Sequence, residues 1–284
     1  MHVPAPQPKF DDYSKHLYAL SASGYTRLPA QVSGTELESL RESADRAMAA
    51  AQAKIREGES LKHTGGSEFY HASRCLYCWG DAFVRLLDLE AVHALASRLV
   101  NPYLLWDLSV LSVLPTPENA KSATTSWHRD YGGMMIGGQK PGYLWFFLCL
   151  DDSTPENGAT WVVPGSHTTS TPDEPHHGGP WANDDLEHFT SRTQVCGKAG
   201  DLLVLNPSLL HSSGRNTTRQ PRRLVNIGIC HHTLPPLMDH WAIAGPKLQP
   251  KFSGRVRKMM GADREHPDAT WTALPEGWQT APKG

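Results

Sequence analysis

The chain has 284 residues, with 27 Lys and Arg against 29 Asp and Glu, a formal charge of −2 at pH 7 and 39% hydrophobic residues. That length accommodates one large all-β or α+β domain, and the near-neutral charge without a basic stripe removes the electrostatic footprint of a nucleic-acid binder. Five cysteines are an odd set that argues against a disulfide framework and for reduced thiols in a cytoplasm. The opening Met-His-Val-Pro-Ala-Pro-Gln-Pro lacks the charged stretch and apolar core of a secretory signal, and there is no 18-residue apolar run for a membrane span.

Taken in chain order, Tyr25-Thr26-Arg27-Leu28-Pro29 reads as extended. Ser33-Gly34-Thr35-Glu36 reads as a capping box that opens a helix to about Arg56. A second helical pattern covers about Asp81 to Leu99 and ends before Pro102. The character then changes to strands, with candidates at 104–115, 124–130, 143–150, 159–164, 201–206 and 222–230. Helices followed by strands predict an α+β, mainly β fold: a double-stranded β-helix (jelly roll, cupin-like) buttressed by N-terminal helices. The expected organisation is a single domain over 1–284, helical to about residue 100, jelly roll over about 101–232, with a C-terminal extension over about 233–284.

The candidate chemistry starts at His128-Arg129-Asp130 and continues at His211. On an extended strand, His128 and Asp130 face one side and Arg129 the other. Two imidazoles and one carboxylate are the ligand set of a mononuclear non-haem Fe(II) centre, which keeps its remaining positions open. Arg222 lies eleven residues beyond His211, in a run that reads as a returning strand. Its guanidinium suits a carboxylate gripped by two hydrogen bonds, so a dicarboxylate that chelates the metal at its other end is expected.

Five ordered segments, Trp127-His128-Arg129-Asp130, Glu156-Asn157-Gly158-Ala159-Thr160, Pro164-Gly165-Ser166-His167, Gly200-Asp201 and His211…Asn216…Pro221-Arg222-Arg223, resemble the phytanoyl-CoA dioxygenase family of Fe(II)/2-oxoglutarate oxygenases. The resemblance covers roughly residues 100–232. It implies that His128, Asp130 and His211 bind Fe(II), that Arg222 holds the distal carboxylate of 2-oxoglutarate, and that O₂ is the second co-substrate. Thr160 and Ser126 match positions of further polar contacts to 2-oxoglutarate; the plainer alternatives are a strand threonine and a solvated strand start. Halogenating relatives replace the carboxylate ligand by a small residue, so Asp130 disfavours halogenation. Hydroxylation, desaturation, ring closure, epimerisation and endoperoxide formation stay open, since each can begin with hydrogen abstraction from a substrate C–H. The expected partner is a small molecule, a secondary metabolite such as an antibiotic or alkaloid, acted on by a monomer or homodimer with no nucleic acid or membrane.

Candidate substrate contacts are Trp127, Trp181 and, in the glycine-flanked loop beyond the ligands, Tyr131 and Met134. The apolar run 143–150 is assigned to core packing and left out of the site. Residues 167–200, with His176-His177, read as a long loop, either a lid or a solvated connection. Cys75-Leu76-Tyr77-Cys78 has no second pair for a zinc site, and His128-Arg129-Asp130 fails as a kinase loop because Met135 stands where an Asn is required. Asn216-Thr217-Thr218 matches a glycosylation acceptor that a cytoplasmic chain would not use. Two rival classes are a zinc-dependent hydrolase or lyase using the same ligands and a non-catalytic jelly-roll binding protein.

Overall fold

The structure, a computed structural model, describes residues 11–56, 70–121, 127–130, 135–136, 140–169 and 190–263. In chain order, the first elements are α1 (Ser14–Ser23), β1 (Tyr25–Leu28), α2 (Gly34–Arg56), β2 (Tyr70–Arg74), α3 (Asp81–Leu86), α4 (Glu90–Leu99), β3 (Tyr103–Val113) and α5 (Pro117–Lys121). There follow β4 (Met135–Ile136), β5 (Lys140–Pro141), β6 (Tyr143–Cys149), β7 (Thr160–Val162), β8 (Thr193–Val195), β9 (Leu202–Leu205), β10 (His211–Ser212), β11 (Arg222–His231), α6 (His240–Leu248) and α7 (Gly254–Met259).

Two antiparallel sheets face each other. The larger has the order β1-β9-β6-β11-β3-β2, the smaller β10-β7-β8, and β4 and β5 form a separate pair. Among the described residues no helix is long and apolar enough to cross a membrane.

The larger sheet is two-faced, as the pleat requires. Val225, Ile227 and Ile229 of β11, with Leu144, Phe146 and Leu148 of β6, pack into one core with the apolar faces of α2, α4 and α7, including Leu40, Leu95 and Val256. The opposite face carries Leu224 and Cys230 of β11 and Tyr143, Trp145 and Cys149 of β6 toward the smaller sheet. Alternation also separates the two neighbouring arginines. Arg222 is buried and lines the interior cavity, while Arg223 turns outward and grips Asp151 with two side-chain bonds at 2.9 and 2.7 Å and Asp45 of α2 at 2.5 Å.

One irregularity breaks the pattern. The β11–β3 register shifts between Gly228 and Ile229, so Gly228 faces Asp107 and Ile229 faces Leu105. Trp106 is the extra residue, and the bulge turns it to the same face as Asp107. A Cβ on Gly228 would meet Cζ3 of Trp145 at 2.5 Å, so the missing side chain is what lets that indole lie across the strand.

Strands at 103–113, 143–149, 160–162, 202–205 and 222–231 fall where the sequence pattern puts them. The helix expected over 81–99 is two helices, because Leu89 adopts an extended conformation (ψ 121°) that starts α4 afresh. The strand expected over 124–130 is not one over its described part: His128 makes a one-residue bridge to His211, and the Asp130 amide donates to Pro207 outside any ladder. α1, β2, β8 and the C-terminal helices carry no strong periodic signal and form through packing; β2, for example, is held as an edge strand on β3. Asn216 is fully buried, and its amide donates to Val113 and Gln220 carbonyls at 2.9 and 3.0 Å, so that sequon serves architecture. All five cysteines are free.

Two buried histidines tie the helices to β3. His93 lies between the Tyr103 hydroxyl at 2.7 Å and the Leu87 carbonyl at 2.9 Å, and His240 between the Tyr77 hydroxyl at 3.0 Å and the Trp106 carbonyl at 3.1 Å. A carbonyl only accepts, so each Nε2 carries the proton and each Nδ1 accepts from a tyrosine O–H. Burial lowers both histidines below the ordinary range. The unfolded chain therefore binds protons more readily, and stability falls as pH drops from about 6.5, the unperturbed value, toward the lowered folded ones. The urea midpoint is expected to be lower at pH 5.5 than at 7.5, with a smaller difference in His240→Gln; an equal difference in the variant would contradict the assigned role of His240.

Candidate metal centre

The loop from Asn206 to Leu210 delivers His211. Asn206 turns the chain by accepting from the Ser208 amide through its side chain and from the Leu209 amide through its backbone, both at 2.9 Å. The Ser166 hydroxyl accepts from the Leu210 amide at 2.8 Å. His128 and His211 then exchange two backbone hydrogen bonds at 2.9 Å, and the Asp130 amide donates to the Pro207 carbonyl at 3.0 Å. The guanidinium of Arg129 points away from the imidazoles and donates to the carbonyls of Ser166, Ser208 and Thr169, fastening the ligand loop to the turn beneath it.

The two imidazole rings lie 4.3 Å apart between centroids. His128 Nε2 is 3.4 Å from one Asp130 carboxylate oxygen and His211 Nε2 is 3.6 Å from the other. One donor atom from each of the three residues lies within 4.8 Å of the other two. His211 Nδ1 donates to the Leu209 carbonyl at 2.8 Å, which leaves the Nε2 lone pair facing the centre. Burial raises the Asp130 carboxyl, but the two histidines and the Trp145 N–H outweigh it and hold the group at about 2. Two imidazole nitrogens and a permanently ionised carboxylate oxygen are a fitting donor set for a divalent transition metal.

The triad opens onto a cavity of about 310 Å³. Thr160 of β7 and Arg222 of β11 line the same cavity, so the structure gathers five of the sequence-derived site residues in one place. Arg222 is 3% exposed, held at the end of β11 opposite Val113. Trp127 is 1% exposed and is not among the described residues that line the cavity. Ser126, Tyr131, Met134 and Trp181 lie outside the described residues, as does most of the loop at 167–200.

Trp145 and Phe147, assigned from sequence to the core, line the cavity as well. The strand is apolar on both faces, so its pattern does not distinguish a cavity from a core. Trp145 donates its indole N–H to Asp130 Oδ2 at 2.6 Å and is braced by Trp106 at 5.0 Å between ring centroids. Ser213, two residues past His211, lines the cavity too; period-2 alternation from His211 was the available signal.

Because the indole fixes the orientation of the carboxylate, Trp145→Phe is expected to weaken binding of Co(II) roughly 10-fold, in the range of outer hydrogen bonds to metal ligands. Calorimetric titration checks this; unchanged affinity would show that Asp130 is held without the indole.

Residues 20–224 match the family described as phytanoyl-CoA dioxygenase (PhyH). The chain is 28% identical over 201 residues to the dioxygenase FUM3 of Gibberella moniliformis, covering 66% of this chain and 62% of that one. It is 26% identical to the dioxygenase ALT11 of Alternaria alternata, covering 74% and 68%. It thus spans only about two thirds of the length of these relatives. Among solved structures, HygX from Streptomyces hygroscopicus with nickel and 2-oxoglutarate bound superimposes with a TM-score of 0.62 at 20% identity, over 79% of this chain and 89% of that one. The epimerase SnoN, in complex with Fe3+, alpha ketoglutarate and nogalamycin RO, gives 0.56 at 25% identity over 78% and 85%. With the family match extending through most of the sequence and a jelly-roll core beneath the triad, this chain belongs to the phytanoyl-CoA dioxygenase family.

Proposed function

We propose that the chain is an Fe(II)- and 2-oxoglutarate-dependent dioxygenase that oxidises a small organic molecule, a secondary metabolite, with release of succinate and CO₂. The observation that carries this reading is the convergence of His128, Asp130 and His211 donor atoms in one cavity with the buried guanidinium of Arg222. A three-residue ligand set leaves positions free for co-substrates, unlike the four protein ligands of a closed structural zinc site. Bound Fe(II), supplied with 2-oxoglutarate and O₂, provides the oxidising power for attack on a substrate C–H.

The chain's own residues supply everything else. His128, Asp130 and His211 hold the metal, and Trp145 keeps the carboxylate turned toward it. Arg222 pairs with the distal carboxylate of 2-oxoglutarate, a charge-assisted contact strengthened by burial, with Thr160 as a polar neighbour. Phe147, Leu205 and Leu224 wall the cavity with apolar surface and limit water. The retained Asp130 disfavours halide ligation. Small-molecule oxidation in secondary metabolism is supported by the kinds of protein the chain resembles: named fungal dioxygenases, an epimerase from nogalamycin biosynthesis, and HygX with hygromycin B bound.

Incubated anaerobically with Fe(II) and 2-oxoglutarate and then exposed to O₂ and candidate substrates, the chain is expected to form succinate in an Fe(II)-dependent manner. His128→Ala should abolish it; succinate formation that ignores both iron and this substitution would sink the proposal. Arg222→Ala is expected to weaken 2-oxoglutarate binding roughly 30-fold or more while the metal is retained. Arg223→Met, on the outward face, should leave 2-oxoglutarate affinity unchanged and lower unfolding stability by about 2 kcal/mol. Equal loss of metal and 2-oxoglutarate in Arg222→Ala would contradict the division of labour.

A further inference from the structure

The cavity has a second polar pole that the triad and Arg222 do not use. Asp107, Ser109 and Arg74 line it on the β2–β3 side, and Asn226 of β11 lies directly opposite Ser109. Arg74 pairs with Asp107 Oδ2 at 2.5 Å, and the Ser109 hydroxyl donates to the same oxygen at 2.8 Å. The other carboxylate oxygen, Oδ1, is buried without a hydrogen-bond partner among the described residues, and so is the Asn226 side-chain oxygen. The two residues are 1% and 5% exposed. Most buried polar atoms in folded proteins are paired, and a buried acceptor left unpaired requires an explanation.

We infer that Asp107 and Asn226 form a subsite that accepts hydrogen bonds from a hydroxyl-bearing part of the oxidised substrate. This rests on the dioxygenase reading above and names the class of molecule the same cavity takes. Three observations lead to it. First, the two free atoms are both acceptors, so a partner must bring O–H or N–H groups; an unbroken hydrocarbon chain would leave both unpaired. Second, Arg74 already balances the charge of Asp107, so the pole suits a neutral donor and does not demand a cation. Third, Asp107 lies far along the sheet from Arg222. Arg222 pairs with Val113, six residues along β3 from Asp107, which is roughly 20 Å at a strand rise of about 3.3 Å per residue. A five-carbon dicarboxylate held at Arg222 is too short to reach Asp107.

Regular alternation along β3 and β11 brings Ser109, Asp107 and Asn226 to the cavity face, and the bulge just beyond Asp107 adds Trp106 to it. Opposite Asp107 stands Gly228, which has no side chain to cover the carboxylate, and the extra residue Trp106 packs beside Trp145. An acceptor pair at one end and aromatic surface beside the metal ligands fit a compact ring system with hydroxyl substituents.

The test uses the full chain loaded with Fe(II) and 2-oxoglutarate and a panel of small hydroxylated alicyclic and aromatic compounds. Each is paired with its O-methyl ether, and phytanoyl-CoA is included as the donor-free chain at the reacting end. The readout is succinate release above the substrate-free level. Hydroxylated members are expected to stimulate it, with KM at least roughly tenfold below that of their ethers, in line with the cost of an unmatched buried acceptor. Asn226→Leu, which leaves the Arg74–Asp107 pair intact, should raise KM for the hydroxylated members and erase their advantage over the ethers. The double variant Arg74→Met with Asp107→Leu, which removes the second acceptor without stranding a charge, should do the same. Stimulation by the ethers or by phytanoyl-CoA equal to that by hydroxylated members would overturn the subsite, as would discrimination that survives both variants. Binding of 2-oxoglutarate without stimulation by any hydroxylated member would overturn it too and leave the dioxygenase reading standing. Failure to bind 2-oxoglutarate at all would overturn both.

Discussion

Two reciprocal backbone hydrogen bonds between His128 and His211 join segments that are far apart in sequence and set the whole site. They place two imidazoles side by side, and the hydrogen bond from the Asp130 amide to the Pro207 carbonyl holds Asp130 against both rings. A bridge of one residue has little cooperativity of its own. Its geometry is held from outside, by the turn at Asn206, the Ser166 hydroxyl under Leu210 and the Arg129 guanidinium across three carbonyls. Arg129, the residue between the ligands, thus fastens their loop to the scaffold while they face the cavity.

The other constraint is the two-faced central sheet. Its outer face buries Val, Ile and Leu against the helical layer, and this burial is a main source of stability. Its inner face is thereby free to carry side chains chosen for chemistry: Arg222 at one end, Asn226 and Asp107 further along, Trp145 beside the metal ligands. The Arg222-Arg223 pair condenses the arrangement into two residues. One guanidinium lines the cavity, and the next locks β11 to α2 through Asp45 and to Asp151. On this face the strands position the groups, whereas His128, Asp130 and His211 are held by a bridge and the loop from Asn206 to Leu210.

The motifs that carry the family resemblance divide into chemistry and bracing. Gly200-Asp201 touches no reacting group. A Cβ on Gly200 would lie 2.0 Å from the Val32 carbonyl oxygen, and the Asp201 carboxylate accepts from the amides of Ala30 at 2.8 Å and Lys198 at 2.9 Å. Pro164-Gly165-Ser166-His167 likewise supports the turn that delivers His211 and, through His167, meets the Ser21 carbonyl of α1.

By itself the sequence determined the class of the fold, the positions of its main strands, and the four residues His128, Asp130, His211 and Arg222 that the structure brings to one cavity. Those features rest on local signals: period-2 alternation, a change from helical to strand character, and donor types at fixed spacing. Tertiary structure alone decided the rest. His128 forms a one-residue bridge and not a strand, and its hydrogen-bond partner, His211, is distant in the chain. The helix expected over 81–99 breaks at Leu89. Trp145 is an apolar strand residue in sequence and becomes the hydrogen-bond partner of Asp130 because Gly228, on a neighbouring strand, leaves room for its ring. Trp106 turns to the cavity side of the sheet, beside Trp145, only through the register shift between Gly228 and Ile229. Register between strands is set by contacts across the sheet, and no spacing along the chain encodes it.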